Sequence, residues 1–155
     1  MPQDSGCELP KRPASMPIEE QAFLAVLRTA DWLQRELAEM LKAFDLSPVQ
    51  YNALRIMRGA GPEGLPCSEI GNRMINRDPD ITRLLSRLEK MKLAQRCRDK
   101  EDHRVIRGRI TKQGLELLKT IDPQIAKFHQ NLLGHMGETK LTTVVRLLEQ
   151  AAAKD

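Results

Sequence analysis

Aromatic side chains are nearly missing from this chain: one Trp, one Tyr and three Phe among 155 residues, 3% in all. A core without them rests on Leu, Ile, Val, Met and Ala, which favours helices over a β-sandwich, where β-branched and aromatic residues lead. Cysteine is scarce too. Cys7, Cys67 and Cys97 have no metal-type or redox-type spacing, and an odd count without a secretory signal fits a reducing cytoplasm. No apolar run approaches the roughly 20 residues of a membrane helix. A Gly-rich phosphate loop, a nucleophile motif and a carboxylate pair placed for catalysis are all lacking, so an enzyme is not expected. His129 and His135 stand six residues apart, too far round a helix to share a metal, and neither metal nor cofactor is expected.

Charge is plentiful, at 30% of residues, and unevenly spread. The net charge of +4 hides a block from Thr82 to Lys112 with eleven Lys or Arg against four acids. The rest of the chain carries fourteen basic residues against seventeen acidic ones. A positive block on a mildly acidic body is a docking face for a polyanion, with an ordinary solvated face as the plainer alternative.

The apolar pattern divides the chain. Residues 1–16, with Pro2, Pro10 and Pro13 among small and charged neighbours, read as a flexible tail. Phe23, Val26, Leu27, Ala30, Leu33, Leu37, Met40, Leu41 and Phe44 recur at steps of three and four, predicting a long helix from about 17 to 44. Such a helix spans about 40 Å, more than a small lobe can cover. Ser47-Pro48-Val49-Gln50 opens a second helix with a capping box and Pro at the first position. It ends at Gly59-Ala60-Gly61-Pro62. A third runs from about Cys67 to Ile75, packing through Ile70 and Met74. A fourth starts at Asp78-Pro79, burying Ile81, Leu84, Leu85, Leu88 and Met91.

The period then changes to two. Ile106, Gly108 and Ile110 share one face and Arg107 and Arg109 the other, so 105–110 reads as a strand pairing with Ala94–Arg98 in a two-stranded hairpin with a basic tip. Thr111 caps a second long helix through Leu118, Ile121, Ile125, Phe128, Leu132 and Met136, bent at Pro123. A last helix from Glu138 to about Ala152 carries Leu141, Val144, Val145, Leu148 and Ala151. The expected fold is mainly α with a small β-hairpin wing: a winged helix-turn-helix over 47–111, flanked by long helices at 17–44 and 112–152. Burial of those arms against a second subunit is favoured over an intrachain bundle.

In a winged helix-turn-helix the last of the three helices enters the major groove and its first turns reach base edges. Thr82, Arg83 and Ser86 lie on the outward face of those turns, where Arg can donate bidentately to guanine. Arg87 and Lys90 lie further back, suited to phosphate. Asp80 repels phosphate and is assigned to the helix N-terminus. At the hairpin tip, Arg104 suits a narrow minor groove, with Asp102 expected to aim it by a forked ion pair. The plainer alternative is a solvated turn with an incidental pair.

Thr82-Arg83-Leu84-Leu85-Ser86-Arg87-Leu88-Glu89, then Asp102-x-Arg104, then Ile110-Thr111-x-x-Gly114 resembles the MarR (multiple antibiotic resistance) regulators. Their pattern is approximately Thr-Arg-Leu-hydrophobic-x-Arg-Leu-Glu, Asp-x-Arg and Leu-Thr-x-x-Gly. The match in order and spacing runs from about residue 18 to 152. The resemblance implies an obligate homodimer built from the terminal helices, binding to double-stranded promoter DNA, and often relief by a small-molecule effector or an oxidant. Two residues depart from the pattern: Lys92 stands where Gly is usual, and Pro66 where a Ser or Thr cap is common. Some relatives sense oxidants through a Cys in the first helix, and here that helix has none. Cys67 heads the third helix, where the positive helix end could lower a thiol pKa. Trp32 and Tyr51 are candidates to line an effector cavity between the long helices and the lobe, with a core role as the alternative. The rival function is a winged-helix protein-interaction module, against which exposed Arg83, Arg87, Arg104, Arg107 and Arg109 argue.

Overall fold

Side-chain caps open three of the six α-helices in the computed structural model, which describes residues 16–75 and 80–153. The 1–15 stretch of the expected tail and the Asp78-Pro79 start signal lie outside the described residues. Helix α1 spans Ile18–Leu41 and continues through a 3-10 turn to Phe44. Helix α2, Pro48–Gly59, opens on the expected capping box: Gln50 N donates to Ser47 Oγ at 3.2 Å, and Ser47 N to Gln50 Oε1 at 2.9 Å. Helix α3, Cys67–Arg73, follows Pro66, which offers no side-chain cap. Helix α4, Ile81–Lys90, is capped by Asp80, whose carboxylate accepts from Arg83 N at 3.1 Å. Strands β2 (Ala94–Arg98) and β3 (Ile106–Ile110) form the wing. Helix α5, Lys112–Leu133, runs without a break through Pro123, and α6 spans Glu138–Ala152.

The expected two-stranded hairpin is part of a three-stranded antiparallel sheet. A short strand, β1 (Leu65–Pro66), pairs with β3, giving the order β1-β3-β2. Its two residues face Gly108 and Arg107. Two residues ending in Pro give no alternation to read, so only the tertiary pairing makes this a strand.

The core lies under the sheet. Leu41, Leu54, Met57, Ile70, Leu85, Leu88, Leu118 and Ile121 are fully buried, each stabilising the fold by about 1.5–3 kcal/mol relative to exposure. Strand β3 comes closest to it at Gly108, where a Cβ would stand 2.7 Å from Ile70 Cδ1. The arms behave differently along their length. Leu41 at the end of α1 is buried, whereas Ile18, Phe23, Val26 and Leu27 are exposed. Helix α6 buries nothing, and Val144, Val145, Leu147 and Leu148 face outward.

The junction between α4 and β2 turns on Lys92, which adopts φ 63°. Its left-handed backbone lets Lys92 N donate to Glu89 O and Leu93 N to Leu88 O, closing the helix as a Gly would. Thr111 Oγ1 donates to Lys92 O at 2.7 Å and accepts from Gly114 N. Gly114 lies so close beneath this turn that a Cβ would stand 2.4 Å from Leu93 O. Opposite outcomes are therefore expected at the two positions. Lys92→Gly relieves a left-handed strain and should stabilise by up to about 1 kcal/mol. Gly114→Ala drives a methyl into backbone and should cost about 1–3 kcal/mol. Chemical unfolding of both variants checks the signs.

Candidate nucleic-acid interface

Helix α4 divides by face as its period predicts. Leu84, Leu85 and Leu88 are buried, while Thr82, Arg83, Arg87 and Lys90 are exposed and Ser86 is partly so. Asp80 is spent on the helix N-terminus, the role expected for it. The outward face therefore presents two hydroxyls and three cations on one short helix.

Glu89, on the same helix, holds the wing. Its Oε1 accepts from Arg96 N at 2.7 Å, and its Oε2 accepts from Arg96 Nε at 2.8 Å and pairs with Nη2 at 2.7 Å. Three contacts to one carboxylate join α4 to β2 at a fixed distance. The Arg96 guanidinium lowers the Glu89 pKa and is itself pushed up by that carboxylate. No local spacing marks this pair, because the two residues meet only when the strand doubles back on the helix.

The wing tip differs from expectation. Asp102 Oδ1 accepts from the backbone amide of Arg104 at 3.0 Å, not from its guanidinium. A carboxylate two residues back in a tight turn reaches the amide first, as in an Asx turn. Arg104 stays exposed at the tip. The acid that organises the turn is Asp99, which the sequence reading passed over. Its Oδ1 accepts from Glu101 N at 2.9 Å and Asp102 N at 3.1 Å, and its Oδ2 pairs with Arg107 Nη1 at 2.8 Å. The amides of Glu101 and Asp102, then Arg107, hold the Asp99 carboxyl below the usual range. The available signal is that Asp99 heads the polar run 99–104, two and three residues before the amides it accepts.

Arg107 and Arg109 are not free cations. Arg107 also donates to Glu63 O and Gly64 O, at 3.1 and 3.0 Å, and Arg109 to Glu63 O at 3.2 Å with its Nη2 3.4 Å from the Glu63 carboxylate. Both face the segment before β1, which the two-stranded reading left out. They strap the sheet to that segment, so of the cations singled out from the sequence Arg83, Arg87, Lys90 and Arg104 stay exposed, beside Lys92, Arg98, Lys100 and Lys112 of the same block.

Elsewhere, a cavity of about 470 Å³ opens between α1, α2 and α5. Arg35, Tyr51, Asn52, Arg55 and His129 line it; Tyr51 borders it while buried in the core, so both roles considered for it apply, and Trp32 does not line it. Burial pushes the Tyr51 hydroxyl up, partly offset by Arg55, whose guanidinium lies 5.7 Å from the ring centroid. Burial also pushes the Cys67 thiol up, opposite to a helix-end activation. Cys97 Sγ lies 3.9 Å from Arg107 O inside the sheet.

Three core helices, an outward cationic helix face and a three-stranded wing define a winged-helix transcription regulator. No family model matches the chain. It is 36% identical to a MarR transcription factor from Planctomyces limnophilus, over 90% of this chain and 99% of that one, with a TM-score of 0.67. Its fold is similar to that of Bordetella bronchiseptica BpsR, whose DNA binding is regulated by 6-hydroxynicotinic acid (TM-score 0.79, 18% identity, 90% and 99% covered). It is similar again to an Escherichia coli MarR variant complexed with operator DNA (TM-score 0.76, 19% identity, 87% and 96% covered). The chain belongs to the MarR family of transcription regulators. No helix among the described residues is long and apolar enough to cross a membrane.

The Glu89–Arg96 pair yields a pH test. A carboxyl whose folded pKa is lowered contributes stability that is full above its unfolded value, about 4.3 for Glu. That contribution disappears as pH falls through the folded value. Glu89→Gln should therefore be less stable than the parent at pH 7, with the gap closing as pH drops below about 4. Urea unfolding of both proteins from pH 7 to pH 3 measures it; a gap constant with pH contradicts the assignment.

Proposed function

We propose that the protein binds a near-palindromic operator in duplex DNA as a homodimer and acts as a ligand-responsive repressor. The observation that carries this reading is the exposed face of α4, locked to the wing through Glu89 and Arg96, with Arg104 at the tip. Thr82, Arg83 and Ser86 read base edges in the major groove. Arg87 and Lys90 neutralise phosphates where the helix leaves the bases. Arg104 enters the flanking minor groove, where the potential is most negative.

Dimerisation rests on the uncovered apolar surface of α1 and α6. Phe23 is 63% exposed and Val145 54%, on arms (17–44 and 112–152) that extend beyond the 47–111 lobe. Apolar stripes of that length are stable in water when a second copy buries them. A C2 dimer then sets two α4 helices about one DNA turn apart, roughly 34 Å. The effector reading rests on the cavity where both arms meet the lobe, since a molecule bound there contacts α1, α2 and α5 together. The ligand-regulated DNA binding of BpsR supports it.

Two measurements test the proposal. Sedimentation at micromolar concentration should give about twice the 17.6 kDa chain mass; a folded monomer overturns the dimer. For DNA, Arg83→Ala should cost about 1–3 kcal/mol per half-site on the operator and relax preference at one symmetric base position. Arg87→Ala should weaken operator and scrambled duplexes alike and reduce the salt slope by about 1 per lost phosphate contact. Equal losses on both duplexes for Arg83→Ala would make Arg83 a phosphate contact. Binding with no salt dependence at all would point to a protein-interaction module.

A further inference from the structure

The wing tip has no packed side chain to hold its shape, since residues 101–104 are all exposed. Its conformation is built from polar contacts that form one connected path. Glu63 O and Gly64 O, before β1, accept from the Arg107 guanidinium, which also pairs with Asp99 Oδ2. Asp99 Oδ1 collects the amides of Glu101 and Asp102. Asp102 in turn receives Arg104 N on its carboxylate and Val105 N on its carbonyl. Asp99 N donates to Val105 O, closing the turn at its base. Of this path only the Asp99–Arg107 link joins two ionised groups, with side chains 19% and 24% exposed.

We propose that Asp99, held by Arg107, is the positioning residue that aims Arg104 at DNA. This rests on the reading that Arg104 enters the minor groove. Asp99 is an acid on a face that approaches phosphate, so by charge alone it opposes binding to any duplex. Its retention of two tip amides and Arg107 gives it the opposite sign for an operator that needs Arg104 in one place. Arg107 is thereby a strut from the β1 segment to the tip and not a phosphate contact.

The sign difference makes the test. The probe is a duplex chosen from genomic fragments retained by the full-length protein, with a scrambled duplex of equal length and the thermal midpoint of each variant as controls. Arg104→Ala first establishes the loss attached to the minor-groove contact. Asp99→Ala should then weaken operator binding about tenfold, as expected for one charge-assisted contact, while leaving or tightening binding to scrambled DNA. Asp99→Asn keeps an acceptor for the two amides but sets an NH2 group against Arg107 in place of Oδ2, so its operator affinity should lie between the parent and Asp99→Ala. The Asp99→Ala/Arg104→Ala pair should lose little more than Arg104→Ala alone, because both remove one aimed guanidinium. Should Asp99→Ala fail to fold, Asp99→Ser, which retains one acceptor and drops the Arg107 pair, should fall between the Asn variant and Arg104→Ala. An Asp99→Ala protein (or Asp99→Ser, where Ala does not fold) that binds operator as tightly as the parent, while Arg104→Ala is weak, overturns the positioning role and leaves the minor-groove reading intact. An Arg104→Ala protein with unchanged affinity overturns the minor-groove reading, and the positioning role with it. Full additivity of the two Ala substitutions assigns Asp99 to scaffold stability and also overturns the proposal.

Discussion

At Gly108 the central strand presses onto the helical core, with Ile70, Met57 and Leu85 all within reach of the Cβ that the residue lacks. Those three side chains come from α3, α2 and α4, so one point of contact gathers every helix of the lobe. A larger residue would lift the strand from a close-packed surface that does not compress. The strand carries β1 on one edge and β2 on the other. The height of the wing above α4, and so the relation between helix face and wing tip, follows from this seat.

Polar contacts then use the rigid seat to sort charge. The basic block from Thr82 to Lys112 looks uniform along the chain, but in space it has two populations. Arg96, Arg107 and Arg109 are a quarter to a third exposed and paired with Glu89, Asp99 and Glu63. They hold elements at fixed separations. The other eight, Arg83, Arg87, Lys90, Lys92, Arg98, Lys100, Arg104 and Lys112, are exposed and remain to meet a polyanion. Exposed pairs on the arms, such as Arg35–Asp31 and Lys119–Glu116, belong to neither group and contribute little, as solvated pairs one helical turn apart do.

The arms and the lobe are joined more lightly. Arg58 on α2 pairs with Asp122 on α5 at 2.7 Å, and Leu118, Ile121 and Ile125 carry α5 into the core. Beyond Ile125 the helix emerges, and α6 contributes nothing buried. In the homodimer proposed here, that surface and the first half of α1 form the interface. The cavity beside Tyr51 and Arg55 sits between the two regimes, one packed within the chain and the other awaiting a partner.

Periodicity and capping are local properties, and what depends on them was legible in the residues. The Ser47–Gln50 box, the buried stripe of α4, the Thr111 cap and the alternation of 106–110 each involve groups a few positions apart. The chain alone therefore determined the helices, the wing and the outward set Thr82, Arg83, Ser86, Arg87 and Lys90. Contacts between distant segments were another matter. Strand β1 exists because Leu65 and Pro66 meet Gly108 and Arg107, more than forty residues away. The same meeting turns Arg107 and Arg109 from free cations into struts. Within the tip, the choice of Asp99 over Asp102 as organiser depends on which carboxylate the pairing brings next to Arg107. A side chain's hydrogen-bonding partner is decided by distance in space, and for these residues only the tertiary structure set that distance.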